Sequence, residues 1–96
     1  MDNINKCINE LLKCKYDDLS IISKNDQIEI IKSTYFKVTL KLRNPKINEN
    51  YFDISIYMGL LGYLFNKNFN IKVAELKTDL EKIILENGFK YSYLSL

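Results

Sequence analysis

Two stretches of strict alternation constrain this chain more than any other feature in it. Phe36, Val38, Leu40 and Leu42 alternate with Lys37, Thr39, Lys41 and Arg43, and Phe52, Ile54, Ile56 and Met58 alternate with Asp53, Ser55 and Tyr57. A helix turns every 3.6 residues and would scatter each set around its circumference, whereas a strand repeats every two and sends each set to one face. Residues 44–50, Asn-Pro-Lys-Ile-Asn-Glu-Asn, are turn-rich and separate the two runs. The pair therefore reads as two antiparallel strands with one buried and one wet face.

The flanking segments extend this sheet and cover it. Ile4, Cys7, Ile8, Leu11 and Leu12 recur at helical spacing, which predicts a helix over 2–15 capped by Asp2 or Asn3. Residues 19–23 read as a short strand, followed by a tight turn at Lys24-Asn25-Asp26 and a strand over 27–31. Ile28 and Ile30 share their parity with Phe36 to Leu42, so either one bent strand spans 27–43 or a bulge or break lies at 32–34. A helical turn over 26–33 is the alternative. The run 59–65 is too short for its period to decide between strand and helix. Asn66-Lys67-Asn68 reads as a turn, and Phe69, Ile71 and Val73 alternate briefly as in a strand.

A second helix is predicted over 74–87, with Leu76, Leu80, Ile83 and Ile84 on its apolar arc. Gly88 stands where a left-handed C-terminal residue is needed, and Phe89 follows for the accompanying apolar contact. Leu85 falls opposite the arc, either covered by another segment or exposed. A last strand is expected over 89–95. The fold class is α+β: an antiparallel sheet of about four to five strands with two main helices, 2–15 and 74–87, packed on one face of one small domain of residues 1–96.

Composition excludes several chemistries. The chain has no His, two Cys and three Gly. Triads that require His have no base, and Cys7 and Cys14 lie about 10 Å apart on a helix, too far for a mutual disulfide. Both fall on the apolar side and read as small buried hydrophobes in a reducing compartment. No glycine-rich phosphate loop, calcium loop or zinc motif is present, so no cofactor, metal ligand or catalytic residue is expected. The N-terminus lacks signal-peptide character and no apolar run is long enough to span a bilayer, which predicts a cytoplasmic protein without membrane association.

Thirteen Lys stand against one Arg, beside thirteen Ile and eleven Asn, a balance that reflects AT-rich coding more than selection for Lys chemistry. Net charge is only +2. Strongly basic nucleic-acid binding is disfavoured, because Arg supplies the bidentate phosphate and guanine contacts.

Three groups of residues are candidates for function. On the wet face, Tyr35, Lys37, Thr39, Lys41 and Arg43 share a parity, and the paired strand adds Tyr51, Asp53, Ser55 and Tyr57. Aromatics interleaved with cations suit base stacking along a phosphate backbone. They equally serve solubility and protein contact, and Asp53 repels phosphate. A second group is Asp53 with Glu75-Leu76-Lys77, which resembles the acidic-plus-ExK metal site of restriction-endonuclease-like nucleases. That resemblance implies a small metal-dependent nuclease in which two carboxylates hold Mg²⁺ and the Lys positions water. Here, however, Glu75 and Lys77 are expected in the first turn of the second helix, where Glu complements the dipole. The third group is Tyr57, Tyr63, Phe65 and Phe69, aromatics around two Gly that read as core or as protein-contact anchors.

The leading expectation is a non-enzymatic protein-binding module. Tyr35, Lys37, Lys41, Arg43, Tyr51 and Tyr57 are the candidate partner-binding residues. Short length and AT-rich usage look like small phage- or mobile-element-encoded inhibitors, including anti-CRISPR proteins, and immunity proteins. The alternative is a nucleic-acid-binding domain using the basic and aromatic sheet face. The run from strand 51–58 through helix 74–87 to Gly88-Phe89 resembles phage head–tail joining components, which implies a structural role as a further alternative.

Overall fold

The structure, a computed structural model, describes residues 2–32, 36–44, 50–59 and 67–94, with the backbone alone at 67–70. Helix α1 (Asp2–Lys15) leads into strands β1 (Leu19–Lys24), β2 (Gln27–Lys32), β3 (Phe36–Leu42) and β4 (Tyr51–Met58). Helix α2 (Lys67–Glu86) and strand β5 (Lys90–Tyr93) complete the order.

The five strands form one sheet in the order β1-β2-β3-β4-β5. The first four are antiparallel neighbours, as hairpin-length connections dictate. β5 runs parallel to β4, because α2 carries the chain back along the sheet before it re-enters. The sheet is thus mostly antiparallel, as expected, with the β4–β5 pair as the parallel exception. The ambiguous parity over 27–43 resolves into two strands, β2 and β3, paired with each other so that Ile28 faces Leu40 and Ile30 faces Val38. Equal parity survives because antiparallel partners always point to the same face. Residues 33–35 and 60–66 lie outside the described residues, and with them the expectations for Tyr35, Tyr63 and Phe65.

Both helices pack on the same face of the sheet. α1 buries Ile4, Ile8 and Leu12, a single ridge at four-residue spacing. α2 buries Val73, Leu76, Leu80, Ile83 and Ile84, and the sheet answers with Ile28, Ile30, Phe36, Val38, Leu40, Phe52 and Ile54. Leu42 and Ile56 are only half-buried. The pairing of β5 with β4 ends at Ile54, so Ile56 has no β5 neighbour beside it.

α2 begins at Lys67, seven residues before the predicted 74. The turn expected at 66–68 and the brief strand at 69–73 are thus replaced by helix from Lys67 onward. A two-residue step turns 200° on a helix, which leaves Ile71 60% exposed while Val73 is 4% exposed. Three alternating residues are too few to reveal a period, and burial of Val73 in line with Leu76 and Leu80 decides the outcome. The C-terminus matches its prediction. Gly88 has φ 80°, its N–H donates to Leu85 O at 3.1 Å, and the Phe89 N–H donates to Ile84 O at 3.1 Å. These are the two bonds of a Schellman motif, and the Phe89 ring then sits 4.7 Å from that of Phe52.

The cysteines depart from expectation. Cys7 is half-buried, with its Sγ 3.9 Å from Asn87 Oδ1, and Cys14 is exposed. The ridge Ile4-Ile8-Leu12 alone faces the sheet, and Cys14 lies about 200° around the helix from Leu12. Leu85, whose fate the periodicity left open, is exposed.

Candidate partner-binding face of the sheet

The face of the sheet turned away from the helices carries the odd-numbered residues of β2, β3 and β4. Registration across the strands arranges them in rows. Lys37 of β3 is opposite Tyr57 of β4 and Ile31 of β2, Thr39 is opposite Ser55 and Glu29, and Lys41 is opposite Asp53 and Gln27. β1 adds Ile22 beside Glu29 and Lys24 beside Gln27. β5 adds Ser92 beside Asp53 and Lys90 beside Tyr51. The strand alternation therefore brings Lys37, Lys41, Arg43, Tyr51 and Tyr57 onto one surface as predicted, with Tyr35 outside the described residues.

Arg43 organises one end of this surface. Its Nη2 donates to Asp53 Oδ1 at 2.6 Å and to Ser92 Oγ at 3.0 Å, and its Nε donates to Asp53 Oδ1 at 3.1 Å. The guanidinium carbon lies 3.9 Å from the centre of the Tyr51 ring, a stacked cation–π contact. The Arg43 N–H also donates to Tyr51 O at 2.8 Å, extending the β3–β4 ladder by one residue and holding guanidinium and ring together. Hydrogen bonding from Arg43 holds the Asp53 carboxyl below its ordinary range, against an opposing contribution from burial.

Glu29 anchors the other end. It is 8% exposed and accepts from Gln27 Nε2 at 2.9 Å, while Lys37 Nζ is 3.2 Å and Lys24 Nζ 3.7 Å from its Oε1. The hydrogen bond from Lys37 keeps the carboxyl ionised to lower pH than usual, again against burial. Sequence reading missed Glu29, although its parity matches that of Lys37 once β2 and β3 are paired. Lys90 and Ser92 were also missed, because their place on this face depends on the parallel docking of β5. Lys41 and Lys90 make no ion pair among the described residues.

Tyr57 differs from Tyr51. It is 61% exposed, and it borders a shallow depression of about 550 Å³ lined by Lys37, Thr39, Ser55, Ile56 and Met58. The two tyrosines are six positions apart along β4, a distance of roughly 20 Å at strand rise.

The nuclease-like constellation is not assembled. Asp53 lies on the outer face, committed to Arg43 and Ser92, while Glu75 and Lys77 belong to α2 on the other side of the sheet. With α2 starting at Lys67, those two residues occupy its third turn rather than its first, so Glu75 is too far from the N-terminus to complement the dipole. Among the described residues no helix is long and apolar enough to cross a membrane. Comparison with protein-family models, with curated proteins and with solved structures returned no match.

Proposed function

We propose that this chain is a non-enzymatic protein-binding module that engages its partner through the outer face of the sheet. The observation that carries this reading is Tyr57, a large aromatic of β4 left 61% exposed beside a depression. Tyrosine supplies wide contact area at small rotamer cost and is enriched at the centres of protein interfaces. Nucleic acid is served less well by the same surface. The single Arg is spent on Asp53, the Tyr51 ring is covered by that guanidinium, and the remaining tyrosine stands too far away for neighbouring bases to stack on both. AT-rich usage extends the proposal to the class of phage- or mobile-element-encoded inhibitors that act by covering a partner's surface.

Affinity capture with the wild-type chain, Tyr57→Ala and Lys6→Glu/Lys13→Glu tests the reading, with circular dichroism confirming that each variant is folded. Lys6 and Lys13 are exposed on α1, away from the proposed face. A protein retained by the wild type and the α1 variant but depleted about tenfold or more on Tyr57→Ala is the expected result, since a hot-spot residue contributes roughly 2 kcal/mol or more. Capture that ignores Tyr57→Ala and a second face variant, Thr39→Arg, overturns it.

A further inference from the structure

Among the described residues the outer face is strongly positive. Lys24, Lys37, Lys41, Arg43 and Lys90 stand there against two carboxylates, Glu29 and Asp53, an excess of three, whereas the net charge of all 96 residues is +2. Both carboxylates are already engaged, Glu29 by Lys24 and Lys37 and Asp53 by Arg43. What the face presents outward is cationic: Lys41 on β3, opposite Asp53, and Lys90 on β5, beside Tyr51, make no ion pair among the described residues. At the opposite end of β4 the outer face carries Tyr57, with Ile31 of β2 on the other side of Lys37.

Resting on the protein-binding reading above, we infer that the occupant of this face is an acidic polypeptide segment that runs along β4, its carboxylates over Lys41 and Lys90 and an apolar side chain in the depression beside Tyr57. Charge of one sign on a face steers the opposite sign and suppresses like-charged partners, while the apolar end supplies the buried contact that electrostatics at an exposed surface does not. The polarity of the face also orients the segment, because only one end of β4 offers the depression.

Fluorescence anisotropy with labelled peptides of about eight residues, long enough at roughly 3.3 Å per residue to span the roughly 20 Å along β4 from the Lys90 row to Tyr57, tests this directly. Three probes share one Phe near one end and differ in their other residues: Glu and Asp, the uncharged Gln and Asn, or Lys. An oligothymidylate of matched charge is the fourth. Expected is binding of the acidic peptide at least about tenfold tighter than of the basic one, weakening as salt rises. Lys41→Glu/Lys90→Glu should lower the acidic peptide's affinity about tenfold or more, and Lys6→Glu/Lys13→Glu, which changes net charge equally on α1, less than about threefold. Tyr57→Ala should weaken all bound peptides. Equal losses in the two double variants, or no binding of the acidic peptide, overturn the inference. Tyr57-dependent binding of the neutral or basic peptide with no preference for the acidic one overturns it while leaving the protein-binding reading intact. Oligothymidylate bound more tightly than any peptide, and released by Lys41→Glu/Lys90→Glu, overturns both.

Discussion

Tyr16→Phe isolates one hydrogen bond that ties the end of α1 to α2. Tyr16 is 6% exposed, and its hydroxyl donates to Asp79 Oδ2 at 2.6 Å. The Asp79 oxygen also accepts from Lys15 Nζ at 2.8 Å, and the Lys15 and Lys32 ammonium groups each lie 5.6 Å from the centre of the Tyr16 ring. Burial, reinforced by Asp79, keeps the Tyr16 phenol protonated far above its usual range. A hydrogen bond to a charged acceptor contributes about 1.5–3 kcal/mol net. Asp79 keeps Lys15 and partial hydration when the hydroxyl is removed, so the loss belongs at the lower end, about 1.5–2 kcal/mol. Against the roughly 5–15 kcal/mol of a domain this size, that is a readily measured fraction. It corresponds to a fall of roughly 6–16 °C in Tm. Asp79→Ala leaves the buried phenol without its acceptor and should cost at least as much, whereas Asp79→Asn retains an acceptor and should cost less. Urea unfolding of the two single variants and of Tyr16→Phe/Asp79→Ala, followed by circular dichroism, gives the coupling energy. The expected coupling is above about 1 kcal/mol. Losses under about 0.5 kcal/mol for Tyr16→Phe with no coupling would refute the assignment.

Leu40→Ala and Ile54→Ala, which delete fully buried partners on β3 and β4, should each cost about 2–5 kcal/mol, and values below roughly 0.5 at both sites would show that the buried face is misassigned. Stability should also fall in acid. Burial acts to raise the Asp79 pKa, but hydrogen bonds from Lys15 and Tyr16 outweigh it, and Arg43 lowers that of Asp53, so both folded-state values lie below the unfolded ones. The folded state then binds fewer protons, and the stabilisation present above the unfolded carboxylate value near 4 is lost as pH drops through the folded values. Urea midpoints that decline from about pH 5 to pH 2, with a shallower decline in Asp53→Asn, are expected, and a flat profile would contradict it.

The two-residue alternation in β3 and β4 and the arc Leu76-Leu80-Ile83-Ile84 were legible from the sequence alone, because each presents a period long enough to exclude the other kind of element. The same alternation placed Lys37, Lys41, Arg43, Tyr51 and Tyr57 on a common surface. Gly88-Phe89 marked the end of α2, since few residues other than glycine adopt φ 80° without strain. Three decisions belonged to the tertiary structure. The start of α2 depended on which residues the sheet covers, a choice that three alternating apolar residues do not encode. The docking of β5 parallel to β4 brought Lys90 and Ser92 to the outer face, through pairing between segments nearly forty residues apart. And the bond between Tyr16 and Asp79, separated by 63 positions, arose only when both helices settled on one face, because a polar side chain finds its partner by proximity in space and carries no period to announce it.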